Sequence, residues 1–358
     1  MATNVLEPLS PPADLREGRS TPPGGPVRGS RAAAAVLSPA IAALAALAIH
    51  QLMPSRQLLP LSIGWLDKLP GWERPYPVVL EALLMVSLVL AAAQWAWRPL
   101  RPWVRHNAPL LAAALVLFAL WDLITLKLNW MVLPYFPGPG QVFAGMFDDR
   151  KLLLDSTQHS LLLLLTGYGV GVAAGLINGV LIGWFRLVRY WGMPFLKLAG
   201  PIPATALVAL VMTLFSRVCS SSFPPAAALI GYAVWFPVTM LTASGIANVR
   251  VSYLDVARTL GAGRLYLICR VAIPAALPTI FIGLFIGLTV SFLTLIVAES
   301  VGVQSGLGYY LQWRLSNMEY DKGFASLLIM SGFFSGLMTL LFKVRDWMLQ
   351  WQEGVIKW

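Results

Sequence analysis

Charge is what this sequence lacks most. Only 12 % of its 358 residues are charged, acidic side chains number 16 and histidines three, against 58 % hydrophobic residues. An ordinary soluble domain carries roughly a quarter charged residues, and a mean hydropathy of +0.71 places this chain in lipid instead. The shortage also removes the ingredients of most catalytic sites. His50, His106 and His159 lie on different loops or segment ends, and no Ser-His-Asp, paired-carboxylate or metalloprotease pattern occurs. Cysteine is limited to Cys219 and Cys269, in separate inter-helix segments, which excludes a disulfide framework and a thiolate metal site. No Gly-x4-Gly-Lys-Ser/Thr loop occurs, and no lysine follows a glycine, so the chain has no phosphate loop to cradle ATP. Neither a metal nor a cofactor is expected on this polypeptide.

Long apolar runs are abundant. A bilayer core of about 30 Å needs roughly 20 apolar residues per helix, and that ruler gives eight spans, near 32–53, 78–97, 108–126, 160–185, 201–216, 224–246, 276–298 and 324–342. The fifth is short and follows Pro201 and Pro203, so it is expected to be tilted or broken. The reading is an all-α polytopic membrane protein. Residues 1–31, rich in Pro, Gly, Ser and Arg without an apolar stretch, read as a disordered cytoplasmic tail. With the amino terminus inside, 17 of the 26 Lys and Arg residues fall in inner segments and 9 in outer ones. The positive-inside rule therefore puts both termini and the 247–275 loop in the cytoplasm. The net charge of +10 is spread over these loops rather than gathered in one patch, so topology accounts for it and nucleic acid is not an expected partner.

Within the spans, Gly167, Gly171, Gly175, Gly179 and Gly183 recur every four residues and lay a face without side chains along the fourth helix. Such a face lets another helix backbone come close in lipid; Gly283 and Gly287 repeat the device in the seventh. No strand precedes the stripe, which argues against a dinucleotide fingerprint. Few polar side chains are candidates for a solute path. Asn178 lies beside the glycine stripe, Ser291 and Thr294 share a face at i and i+3, and Glu299 sits near a span end. For the first three, a helix-to-helix or back-bonded hydrogen bond is the structural alternative, and for Glu299 an interfacial position is.

Residues 251–278 read VSYLDVARTLGAGRLYLICRVAIPAALP. Asp255 to Leu260 is expected to form a short helix with Asp near its start, stopped at Gly261 by a left-handed turn. A second amphipathic helix follows, with Leu265, Ile268 and Ala272 on one face, and Pro274 and Pro278 are expected to break it before the seventh span. The product is a helix, a glycine hinge and a helix projecting from the inner face, a shape suited to docking in a groove of another subunit.

This loop resembles the cytoplasmic signature of ABC importer permeases, which begins Glu-Ala-Ala, has a later Gly and ends in Ile-x-x-Pro-type residues. The matching positions are Asp255, Val256, Ala257, Gly261, Ile273 with Pro274, and Pro278. The resemblance runs over about residues 108–358 and is closest to the nitrate, sulfonate, taurine and bicarbonate permeases. It includes LPYFPGPGQVF at 133–143, PIP at 201–203, WFP at 235–237, VAES at 297–300 and SGLGYYL at 305–311. Leu163 stands where relatives often carry Arg, LFSRVCSSSF at 214–223 replaces an aromatic and glycine-rich connection, and Ala206 to Val211 replaces an expected tryptophan and proline.

The resemblance implies a type I importer core of six helices at 106–358, preceded by two additional helices at 32–105. It implies an ATPase-coupling surface at Asp255, Val256, Ala257, Arg258, Leu260, Gly261, Arg264, Pro274 and Pro278. ATP and Mg would be held by two separate ATPase subunits. A second permease copy, an extracytoplasmic solute-binding protein and the lipid bilayer complete the expected partners, in a bacterial inner membrane, for a small anionic solute. Two other classes leave different marks on a sequence. An ion-coupled secondary transporter would show inverted repeats and mid-span ionisable groups, and a membrane-embedded enzyme would show a His, Asp or Glu cluster; neither signature is evident.

Overall fold

Apolar runs fold as long helices, even across internal prolines such as Pro237 and Pro278, because lipid leaves backbone groups no partner but each other. The computed structural model describes residues 27–53, 75–96, 100–128, 130, 135–215 and 221–352, and every regular element among them is helical. The expectations for residues 1–26, for Arg56, Lys68, Arg74, Arg98, Arg217 and Cys219, and for Lys357 lie outside the described residues. The chain divides into two compact units, one of 1–54 with 77–123, the other of 55–76 with 124–358.

The first unit holds α1 (Val27–Leu52), most of α2 (Pro75–Ala96) and α3 (Leu100–Asp122). Helix α1 starts at Val27, inside the stretch read as tail. Ala40, Ala43 and Ala46 are buried on α1, which packs along α3. Near the end of that seam His50 Nδ1 lies 3.0 Å from Asp122 Oδ2, with the carboxylate 1 % exposed.

The second unit holds α4 (Pro139–Asp148), α5 (Arg150–Trp184), α6 (Arg186–Ala199), α7 (Ala204–Phe215), α8 (Phe223–Ala247) and α9 (Val251–Thr259). Beyond α9 come α10 (Arg264–Tyr266), a π-helical stretch Leu267–Ala272, α11 (Ile273–Val301), α12 (Leu307–Ser316) and α13 (Tyr320–Met348). Among the described residues, six helical segments are long and apolar enough to cross a membrane, or seven if α6 and α7, bent by 89°, count as one broken span. The apolar part of α1, Val36–Leu52, is shorter. The expected fifth span is thus the second half of the broken pair, and Pro201 and Pro203 lie at the break.

Helix α8 is the centre of this unit, two-thirds buried where the other spans are less than half buried. The glycine stripe of α5 faces it. A Cβ on Gly167 would fall 2.6 Å from Ile230, on Gly171 2.5 Å from the Gly231 carbonyl, on Gly175 2.8 Å from Val238, on Gly179 2.5 Å from Thr242, and on Gly183 2.9 Å from Ile246. Both series ascend together, so α5 and α8 run parallel. Helix α11 packs on α8 with descending register, Gly245 facing Ala276 and Thr279, Gly283 facing Val238 and Leu241, and Gly287 facing Val234. It is therefore antiparallel. This register gathers the carboxy-terminal ends of α5 and α8, the whole of α9 and the start of α11 at one end of the unit.

Candidate functional site: an exposed lever and an apolar cleft

Helix α9 buries no residue. Val251, Val256 and Leu260 are 65, 61 and 82 % exposed, an apolar surface that nothing among the described residues covers. The helix starts at Val251, four residues before the expected Asp255, because Arg250 supplies the extended residue that precedes it. Asp255 therefore lies mid-helix and pairs with Arg258 at 2.9 Å, an exposed i,i+3 contact of small energetic weight. Gly261 adopts φ +84°. Its N–H donates to Arg258 O at 2.9 Å and that of Ala262 to Ala257 O at 3.0 Å. These are the two bonds of a Schellman cap, which needs a left-handed residue at that glycine.

The chain then does not break as the prolines suggested. Arg264–Val301 forms one run of 38 helical residues, with Pro274 and Pro278 inside it. The π turn at Leu267–Ala272 lies immediately upstream of Pro274, where a wider ring spares the helix the clash and missing bond that proline imposes on an α turn. The π turn also shifts the buried face. Leu267, Ile268 and Ala272 are buried, whereas Leu265 is 78 % exposed, so the expected Leu265–Ile268–Ala272 face does not form. Arg264 opens the run and is exposed, and Cys269 is a free, exposed thiol in the π turn rather than in a loop. Helix α9 packs against this π turn.

A second feature lies at the α6–α7 break. Gly200, Ile202, Pro203, Tyr232, Phe236 and Ile286 help to line a cleft of about 240 Å³ walled by α7, α8 and α11. The Tyr232 hydroxyl donates to the carbonyl of Ala199 at 2.7 Å, fixing the end of α6 to α8. The Tyr232 ring also stacks on Trp235, with centroids 6.2 Å apart. The PIP and WFP motifs thus meet across one space.

The polar side chains considered for a solute path do not meet there. Ser291 and Thr294 are buried and donate to their own helix, to Leu288 O at 2.7 Å and Val290 O at 2.9 Å. Asn178 is half-buried on α5 beside Gly179. Glu299 is 1 % exposed and holds a lock at the opposite end from α9. Its Oε1 accepts from Ser160 Oγ at 2.7 Å and its Oε2 from Gly308 N at 2.8 Å, while Ser160 Oγ accepts from Leu307 N at 2.8 Å. Gly306 has φ +100°, and a Cβ there would fall 2.1 Å from the Glu299 carboxylate.

The same end carries an ionic cluster that the sequence did not reveal. Arg314, 10 % exposed, pairs with Asp149 and Glu319, and Lys322 lies 3.3 Å from Asp148. Tyr310 donates to Asp149 at 2.7 Å, and the Arg314 guanidinium lies 4.3 Å from the Trp313 ring centroid. Burial, then the bond to Asp149, pushes the Tyr310 phenol well above its ordinary range. Burial works against the charge on Arg314, but the bond to Glu319 and the neighbouring negative charges hold its pKa above the usual guanidinium value.

Residues 167–353, which contain α9, the cleft and most of the helical frame, match the family described as binding-protein-dependent transport system inner membrane component. The chain belongs to that family. A probable ABC transporter permease protein of Haemophilus influenzae is 32 % identical over 69 % of this chain and 96 % of its own length. The taurine transport system permease protein TauC of Escherichia coli is 31 % identical over 65 % of this chain and 84 % of its own. An inward-facing structure of the MetNI methionine ABC transporter aligns with a TM-score of 0.47 at 16 % identity, over 56 % of this permease and 96 % of that chain. The permease is thus an inner-membrane transport component. Helices α1 to α4 and the first half of α5 precede the region that the family describes, and nothing among the described residues assigns α1 and α2 a role.

Proposed function

We propose that this permease forms the translocation pathway of an ATP-driven importer for a small anionic solute, and that α9 couples it to a separate ATPase. The observation that carries this reading is the exposed apolar surface of α9, set at a fixed angle by the Gly261 cap and braced against a π turn continuous with α11. An apolar helix face left open in water invites a groove on another protein, and a helical run from that point through the bundle suits transmission of a closing motion. In this reading Val256, Ala257 and Leu260 seat in the ATPase subunits, two of them for a pair of permease copies, and ATP with Mg is held there. The α9 end, which carries Arg186, Arg189, Arg250, Arg258, Arg264 and Arg270, faces the cytoplasm with both termini. The solute-binding protein docks at the α12 end, and the solute passes the cleft at the α6–α7 break.

Substitution Gly261→Val tests the coupling. A β-branched residue in a left-handed conformation costs roughly 1–2 kcal/mol or more, although a Cβ there would meet no atom beyond the adjoining residues within 4 Å. The strain therefore acts on the angle of α9 and not on packing. Insertion and folding should be retained while ATP-driven uptake falls. Normal uptake by a variant that still assembles with its ATPase would remove the coupling assignment.

A further inference from the structure

We propose that the imported solute carries an apolar, ring-sized organic body, which the cleft at the α6–α7 break grips between Tyr232, Phe236 and Ile286, and that bare inorganic oxyanions are not its cargo. This names the substrate class of the pathway reading above and rests on it. The cleft is about 240 Å³, below the roughly 300–1,000 Å³ that holds drug-sized ligands, which suits a small organic molecule. Among the described residues, no charged side chain lines it. Lys197, three residues before Gly200, is exposed but does not contribute to the lining. The hydroxyl of Tyr232 is already committed to Ala199 O, and those of Ser291 and Thr294 to their own helix.

Nitrate or bicarbonate entering such a space would leave its hydration shell and meet carbon. Loss of hydration without replacement hydrogen bonds is among the largest penalties a polar solute can incur. An organic anion escapes most of it. Its hydrocarbon body can lie against the two rings and the prolines while the charged group stays toward the open side, the division of labour seen in most small-molecule pockets. Phe236 is held in place because its ring presses on Gly200, where any Cβ would fall 2.1 Å from it. The aromatic wall is therefore fixed rather than adaptable.

The test uses the permease with its ATPase subunits, in nanodiscs for binding and in proteoliposomes for uptake, with benzenesulfonate and nitrate as probes at equal ionic strength. Benzenesulfonate is expected to raise the thermal transition in a saturable way and nitrate to leave it unchanged. Ile286→Trp narrows the mouth at a residue already 44 % exposed, so folding should survive, and it is expected to weaken benzenesulfonate about tenfold or more. Phe236→Leu should weaken it in the same direction with less steric change. Equal protection by nitrate, or benzenesulfonate protection untouched by both variants, overturns the inference. ATP-driven uptake unaffected by Ile286→Trp would sink the pathway reading and this inference with it. Blocked uptake together with equal nitrate protection sinks this inference alone.

Discussion

Gly200 and Phe236 meet so closely that a methyl group on the glycine would fall 2.1 Å from the phenylalanine ring. That contact joins the end of α6 to the middle of α8 and leaves the cleft on one side. Gly200→Ala should overpack it, at a cost of about 1–3 kcal/mol, and lower the thermal transition of the purified protein. Adding Phe236→Leu should recover part of the loss. Independent, additive effects of the two substitutions in unfolding scans would show that the contact does not fix the break.

Two glycines of α5 should respond with opposite sign. A Cβ on Gly171 would strike the Gly231 carbonyl at 2.5 Å, whereas one on Gly169 meets nothing within 4 Å. Gly171→Ala should push α5 and α8 apart and destabilise by about 1–3 kcal/mol. Gly169→Ala should stabilise by roughly 0.5–1 kcal/mol through the helical preference of alanine. Detergent-solubilised unfolding curves of the two variants separate these outcomes, and equal shifts would contradict the parallel seam.

Glu299→Ala would leave the Gly308 N–H and the Ser160 hydroxyl buried without their acceptor. Each orphaned group costs about 1–3 kcal/mol. Glu299→Gln keeps one acceptor oxygen and should fall between wild type and alanine. Hydrogen exchange at the Leu307 and Gly308 amides is the direct readout. Faster exchange is expected in both variants, most in alanine, and unchanged exchange would mean that another group holds the turn.

Arg314→Met should be more damaging than the pair Arg314→Met with Asp149→Asn. The single change takes the guanidinium from a carboxylate that is only 16 % exposed and leaves it Lys322 at 3.7 Å and the Tyr310 hydroxyl, so the loss should fall below the roughly 3–5 kcal/mol of breaking a buried pair outright. The double change removes both charges and should restore part of that in thermal unfolding. A double variant no better than the single one would assign the loss to the stack of Arg314 on Trp313 instead.

Glycines at every fourth residue are legible in the sequence as a face without side chains, but not which helix meets that face or in which direction it runs. The turn at Gly261 is legible because a single residue type tolerates that backbone. The π turn is not, since a wider ring has no residue signature of its own and Pro274 reads locally as a break. The cleft is lined by Ile, Pro, Phe and Tyr side chains that look like any other apolar span until α6 and α7 are seen to part. Glu299 and Ser160 are 139 residues apart. Each taken alone suggests an interfacial group, and the shared bond appears only once α5, α11 and α12 are assembled.

The helical run from Arg264 to Val301 has a mechanical corollary. A joint made of loop absorbs displacement in its own dihedrals, but a hydrogen-bonded cylinder can yield only where its pitch changes. On this cylinder the pitch changes at the wide ring against which α9 is braced, and Pro278 removes one further bond downstream. In the proposed coupling, a stroke delivered at that turn would be passed on along the axis rather than dissipated, and the stiffness of six residues, Leu267 to Ala272, would set how far the opposite end can travel.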